Sequence, residues 1–243
     1  MVWPNAGRRH SLQCFGIPIR VHASWFLVVV FVAWTLARRY FPSEYAGLSV
    51  RAYWAMGAVA ALLLFACVLL HELGHAFAAR GLGIPVTGIT LFIFGGVAQI
   101  AHGARRPSAE LKVALAGPLV SLLIAGACFL AGPAMPRGQA VQIMAVAIVR
   151  YLAVINMALL VFNLLPGFPL DGGRVMRAAI WAWTGDLLRA TRITGAIGSL
   201  IGLGLMGLGG WLILQDAWSG GMWYLLLGFF LRDAARASVR QAE

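Results

Sequence analysis

The chain has 243 residues, of which 61% are hydrophobic and only 11% are charged, and its formal net charge is +11. Soluble domains carry about 25% charged residues, so this composition argues against a soluble protein. The apolar residues fall in runs of about 20 or more, which is the length needed to span a bilayer. The basic residues flank these runs, which favours a role in membrane topology over nucleic-acid binding.

The apolar runs predict an all-α polytopic membrane protein, with a single domain over residues 1–243. We expect six transmembrane helices, at about residues 21–40, 53–80, 109–131, 141–165, 190–214 and 218–234. A break in the fourth span would reduce the number to five. Six spans put both termini on one side of the membrane. The other side then holds few of the 19 basic residues, namely Arg38, Arg39, Arg51, Arg137 and Arg150. The positive-inside rule therefore predicts cytosolic termini.

A glycine-rich segment at 83–103 follows the second span and is a poor candidate for a helix. Residues that favour β-structure, such as Ile89, Thr90 and Val97, alternate with its glycines. This pattern predicts a membrane-associated β-hairpin or small sheet that packs against protein. An ordinary cytosolic loop is the alternative.

The fifth predicted span is rich in glycine, and Gly198 and Gly202 form a GxxxG motif. Such small residues are typical of closely packed transmembrane helices. A hinge or a substrate gate is the alternative interpretation.

The second span contains the sequence His71-Glu72-Leu73-Gly74-His75, which matches HExxH. Four residues advance a helix by about 400°, so both imidazoles lie on one face and can bind one zinc ion. Glu72 is then placed to accept a proton from water. A glutamate in a spanning helix is costly unless it faces a polar interior, which indicates a functional site. A structural His–Glu pair between helices is the alternative.

A catalytic zinc needs a third protein ligand and an open position for water. Asp171 follows a long apolar run and ends the sequence NLLPGFPLD at 163–171, after which Gly172 and Gly173 follow. Prolines and glycines are poorly tolerated in an α-helix, so we expect the chain to unwind there and bend Asp171 toward the second span. The alternative is a surface aspartate that caps the next helix.

Three other polar residues lie in or beside the apolar runs. Asn163 precedes the predicted break and is placed to donate a hydrogen bond to a substrate carbonyl or its developing oxyanion. Asn156, on the same helix face, is interpreted as a contact between helices. His22 starts the first span and is interpreted as a residue at the membrane surface, with a fourth ligand or inhibitory contact as the alternative.

The combination of HELGH with NLLPGFPLDGG resembles the site-2 protease family of intramembrane zinc metalloproteases (M50-type). The segments GGVAQI and AGPLVS at Ala116–Ser121 are further matches to this family. The opening GIPIRVHASW is similar to its bacterial and archaeal branch, which is related to the sporulation pro-sigma-factor protease. The resemblance covers about residues 14–236 and places the two motifs in the order and at the span ends that the family requires.

The resemblance implies one Zn²⁺ per chain, held by His71, His75 and Asp171, with Glu72 as catalytic base. It implies cleavage of a peptide bond in or near a transmembrane segment, as in regulated intramembrane proteolysis. The expected substrate is a single-span membrane protein, such as an anti-sigma factor, a pro-sigma factor or a signal-peptide remnant. The expected location is the inner (plasma) membrane of a prokaryote.

The chain departs from the family pattern in two respects. Many relatives carry a C-terminal pair of CBS domains, and another branch inserts a PDZ domain between the two motifs. Here the chain stops at Glu243, just past the sixth predicted span, and the motifs leave no room for a PDZ domain. Neither form of regulation is therefore expected, and the chain is either naturally minimal or truncated.

A membrane metal-ion transporter that uses the same His/His/Asp site is the main alternative function. A transit site needs exchangeable ligands and a path through both leaflets, whereas these ligands are predicted near one face and Glu72 is placed like a base. A binding protein with an inert site is a second alternative. A membrane protease of the prenyl-protein type is a third, although such enzymes use a glutamate as the third ligand.

Overall fold

The computed structural model describes residues 12–93, 95–100, 103–135 and 138–242. Two compact units make up this part of the chain. The N-terminal unit contains the described residues up to 100 together with 116–160, and the C-terminal unit contains 103–115 and 161–242. Two long helices each contribute to both units.

The helices and strands follow one another as β1 (Leu12–Cys14), β2 (Ile17–Val21), α1 (Ala23–Thr35), a π-helical turn (Leu36–Tyr40), α2 (Phe41–Glu44), α3 (Val50–Gly81), β3 (Val86–Phe92), β4 (Gly95–Ile100), α4 (Pro107–Ala134), α5 (Ala140–Asn163), α6 (Asp171–Thr184), α7 (Leu187–Leu214) and α8 (Trp218–Arg240). The predicted polytopic helical protein with a small sheet after the second span is confirmed.

Five helical segments in the described residues are long and apolar enough to cross a membrane: Ala23–Glu44, Val50–Gly81, Pro107–Ala134, Ala140–Asn163 and Leu187–Leu214. The protein is therefore a multi-pass membrane protein. The sixth predicted span is helical as α8 but falls outside this group. Its first turns contain polar and small residues, and Arg232 and Asp233 interrupt its apolar run, so its mean hydropathy is lower.

The core of the N-terminal unit forms around α3, which is capped by the Ser49 hydroxyl accepting a hydrogen bond from the Ala52 N–H. Buried side chains that include Met56, Ala60 and Tyr151 make up its main apolar cluster. The first span approaches α3 closely, since a Cβ on Gly57 would lie 2.5 Å from the Ala33 carbonyl oxygen. This packing fixes the long helix that carries HExxH.

A four-stranded sheet of order β1-β2-β3-β4 lies in the same unit. β2 and β3 are parallel, and the other neighbours are antiparallel. The hairpin predicted at 83–103 is confirmed as β3 and β4, although residues 94, 101 and 102 lie outside the described residues. The strands β1 and β2 were not predicted, because β2 runs directly into the first apolar span. Ile17, Ile89 and Leu91 pack with Leu73 and Ala76 of α3, so one face of the sheet is buried against the HExxH helix.

Closely packed helices dominate the C-terminal unit. A Cβ on Gly202 of α7 would lie 2.7 Å from the Gly228 carbonyl oxygen of α8. A Cβ on Gly209 would lie equally close to the Gly221 carbonyl oxygen. The prediction of close helix packing is therefore confirmed at Gly202 and Gly209, whereas a Cβ at Gly204, Gly207 or Gly210 would meet nothing among the described residues within 4 Å. Gly198 instead contacts the bend that precedes α6.

Candidate active site

The two imidazoles of the HExxH motif lie side by side within the N-terminal unit. His71 and His75 are 4% and 3% exposed, and their Nε2 atoms are 3.2 Å apart. Two nitrogens bound tetrahedrally to one zinc at the usual bond length are about 3.3 Å apart. The pair is therefore already arranged as two ligands of one such ion.

Glycines on two helices make room for this pair. A Cβ on Gly117 of α4 would lie against Nε2 of His75 and 2.6 Å from Nε2 of His71. A Cβ on Gly74 of α3 would lie 2.9 Å from the carbonyl oxygen of Ala116. Only glycine at 117 leaves the space beside both ring nitrogens open, so the residues present fit a bound metal ion.

The orientation of His71 is set by a serine on α4. Ser121 is fully buried, and its Oγ lies 2.9 Å from Nδ1 of His71. When Nδ1 carries the proton and donates it to Oγ, the Nε2 lone pair is left for a metal. The sequence analysis missed this role, and the AGPLVS match was the only signal that included Ser121.

Glu72 is half-buried and is held by the sheet. The Ala98 N–H of β4 donates to Oε2 of Glu72 over 2.9 Å. A Cβ on Gly96 would lie 2.5 Å from Cγ of Glu72, so this strand passes directly over the side chain. Ala98 lies opposite Ile89 in the ladder, and its N–H points away from β3. The contact therefore lies at the outer edge of β4 and uses Oε2 of Glu72.

Asp171 belongs to the C-terminal unit, where it is the first residue of α6. The helix α5 ends at Asn163, and the intervening segment 164–170 is neither helix nor strand, so the predicted break is confirmed. Leu170, not Asp171, takes the N-cap position, and Asp171 is only 8% exposed. The alternative of a surface capping aspartate is therefore wrong.

The first turn of α6 packs against the segment that precedes it. A Cβ on Gly172 would overlap the Leu164 carbonyl, and one on Gly173 would lie 2.6 Å from the backbone nitrogen of Phe168. The two glycines after Asp171 thus allow segment 164–170 to fold back over the start of the helix. The Arg174 guanidinium lies 3.9 Å from the Asp171 carboxylate.

The remaining predicted residues have simpler surroundings. Asn163 is half-buried at the end of α5, and its catalytic role stays a prediction. Asn156 is fully buried, and its Nδ2 donates to the Leu152 carbonyl of its own helix over 2.8 Å. His22 caps α1 by accepting at Nδ1 from the Ser24 N–H.

Comparison with known proteins gives a consistent set of relatives. The chain is 39% identical over 229 residues to sll0528 of Synechocystis sp., covering 94% of this chain and 59% of the relative. It is 37% identical to Rip3 of Mycobacterium tuberculosis, covering 91% and 56% of the two chains. The names of both relatives include "zinc metalloprotease". The chain thus spans little more than half the length of these curated relatives.

A solved structure shares the fold over nearly the whole of both chains. The site-2 protease from Methanocaldococcus jannaschii matches with a TM-score of 0.64 and 28% identity, covering 94% of this chain and 93% of that one. The sequence profile of peptidase family M50 matches residues 59–137 and 133–206, which include HExxH and Asp171. Since these matches cover more than half of the sequence, the chain belongs to peptidase family M50.

Proposed function

We propose that this protein is an intramembrane zinc metalloprotease that hydrolyses a peptide bond in or near the transmembrane segment of a membrane protein. The buried His71–His75 pair beside Glu72, on a helix long and apolar enough to span a bilayer, carries the proposal. The metalloprotease names of the relatives favour this function over a metal-ion transporter.

The zinc ligands in this proposal are His71, His75 and Asp171, with one ion per chain. All three side chains are buried and offer two imidazole nitrogens and a carboxylate oxygen. Three such ligands leave a fourth position open, as hydrolytic zinc sites require. Residues 1–243 act as one catalytic domain.

Glu72 is the general base and then the general acid. Bound zinc supplies two effects, a lower pKa for water and polarisation of the substrate carbonyl. Glu72 takes the proton of the attacking water at Oε1, while the Ala98 N–H keeps Oε2 in place. The same carboxyl group then delivers the proton to the leaving amine. Asn163 donates to the developing oxyanion.

The substrate and location follow the family expectation. The substrate is a single-span protein such as an anti-sigma factor, a pro-sigma factor or a signal-peptide remnant. The enzyme resides in the inner membrane of a prokaryote with both termini in the cytosol. The distribution of the 19 basic residues along the sequence supports this orientation.

The test is cleavage of a panel of single-span proteins by purified chain in detergent, with zinc quantified in each sample. We expect Glu72→Gln to lower the cleavage rate by at least about 100-fold, since a general base contributes about 10²–10⁴-fold, and to retain one zinc. The matched control is Glu44→Gln, which changes an exposed glutamate at the end of α2. Wild-type protein that holds no zinc, or a Glu72→Gln variant that cleaves at the wild-type rate, would contradict the proposal.

A further inference from the structure

We propose that the Arg177–Glu110 ion pair positions Asp171 for metal binding, an inference that rests on the proposed function. Arg177 is a positioning residue here, because it acts through Asp171 and touches neither metal nor substrate. All residues in the argument belong to the C-terminal unit.

The pair joins the start of α4 to α6. Glu110 is 1% exposed, although it is an acidic residue in the first turn of its helix. Nε of Arg177 donates to Oε1 of Glu110 over 2.7 Å, and a terminal nitrogen of the same guanidinium donates to the same oxygen. A buried carboxylate is strongly destabilising without such a partner, so this contact restricts where α6 can lie.

The same guanidinium also contacts the segment before Asp171. Its central carbon lies 4.8 Å from the ring centre of Phe168, in the position of a cation–π contact. Phe168 is buried, and its N–H donates to the Thr194 carbonyl over 3.4 Å. A Cβ on Gly198 would overlap the Phe168 carbonyl, so α7 packs directly on this backbone. Arg177 thus connects Glu110 with a segment that α7 already supports.

Along the sequence, Asp171 lies between Phe168 and Arg177, which contact each other. Phe168 precedes it by three residues, and Arg177 follows it by six, which is about 9 Å along a helix. The glycines at 172 and 173 pack the first helical turn closely onto segment 164–170, so a restraint on this segment also restrains the start of α6. Ligand side chains must be held within about 0.5 Å of their productive position. The Arg177 contacts supply that restraint from both sides of Asp171.

The test measures the zinc affinity of the purified 243-residue chain in detergent by competition with a chelator. The samples are wild type, Asp171→Ala, Arg177→Gln and the Asp171→Ala/Arg177→Gln double variant. We expect Arg177→Gln to weaken zinc binding by about 10–100-fold, the usual cost of losing a group that orients a ligand. The double variant should bind zinc as Asp171→Ala does, because Arg177 has no effect once its target is gone. Arg236→Gln, an exposed arginine on α8, is the matched control and should bind as wild type.

A second measurement separates positioning from folding. Co²⁺ replaces Zn²⁺, and its visible absorption reports the ligand set. We expect Arg177→Gln to show the spectrum of Asp171→Ala, and Arg177→Lys, which keeps the charge, to fall between Arg177→Gln and wild type. If Arg177→Gln does not fold, the Glu110→Gln/Arg177→Gln variant removes both buried charges and should show the same metal defect.

The outcomes distinguish the two proposals. Wild-type zinc affinity in folded Arg177→Gln, together with weak binding in Asp171→Ala, would overturn the positioning role alone. The positioning role would also be overturned if the loss of zinc affinity caused by Arg177→Gln were equally large in the Asp171→Ala background. Arg177 would then act on the metal site independently of Asp171. Wild-type zinc affinity in Asp171→Ala would show that Asp171 is not a ligand. That result would overturn both the positioning role of Arg177 and the ligand set in the proposed function.

Discussion

The HExxH side chains of the candidate site are held by neighbours that carry no charge. Ser121 orients His71, the Ala98 N–H holds Glu72, and Gly117 leaves space beside the histidine pair. Such groups tune a metal site without entering the reaction, because they fix ring orientation and tautomer. The HExxH motif is therefore only one part of what makes this helix able to bind zinc.

The most restrictive of these positions is Gly117, and we expect Gly117→Ala to weaken zinc binding by at least about 100-fold. The new methyl group would overlap the Nε2 atoms of both histidines that we propose as metal ligands. The matched control is Gly126→Ala on the same helix, where a Cβ would meet nothing within 4 Å. Zinc content and thermal unfolding of both variants check the result. Equal zinc affinity in the two variants would mean that the space at 117 is not part of the metal site.

Among the strands, β4 has the most direct connection to the proposed chemistry. It is an edge strand of the four described strands, and it lies over the glutamate of α3. An extended substrate can bind such an edge through backbone hydrogen bonds. The Ala98 N–H already donates to Glu72, so this short strand connects the proposed general base with the edge at which a substrate strand would pair.

Proline at position 98 tests the role of this edge. We expect Ala98→Pro to lower cleavage by at least about tenfold, because it removes the N–H that holds the proposed general base and places a ring at the strand edge. Zinc content should not change, since the histidine pair is untouched. Ala98→Gly keeps the amide and should retain most activity. Unchanged cleavage by a folded, zinc-loaded Ala98→Pro variant would show that neither contact matters.

The side of the membrane on which the C-terminus lies depends on whether α8 crosses the bilayer. Among the described residues, five helical segments satisfy the length and hydropathy of a span, and a sixth crossing is needed to return the C-terminus to the side of the N-terminus. The 23 residues of α8 correspond to about 34 Å, enough for a bilayer core of about 30 Å. Its glycine contacts with α7 run along most of its length, which favours an antiparallel crossing.

Thiol labelling tests this crossing. In a variant without the native cysteines, we expect Gln215→Cys and Gln241→Cys to react from opposite sides of the membrane, with position 241 on the cytosolic side. Both positions are exposed and flank α8. Membrane-impermeant maleimide applied to right-side-out and inside-out vesicles reads out the side. Labelling of both positions from one side would show that α8 does not cross.

The amino-acid sequence by itself determined the features that depend on neighbours along the chain. The spans follow from apolar runs, the histidine pair from a four-residue spacing on a helix, and the break before Asp171 from prolines and glycines that a helix does not tolerate. The hairpin after the HExxH helix could be predicted for the same reason, because its β-favouring residues and glycines are consecutive.

Only the tertiary structure decided which distant residues meet. β2 pairs with β3 across the whole first span and α3, and Arg177 meets Glu110 from 67 residues away. Gly117 and Ser121 are ordinary residues of an apolar helix until α4 packs against the histidines. Burial of polar groups selects such contacts, since each buried donor or carboxylate needs a partner, and the identity of that partner depends on packing and not on local sequence.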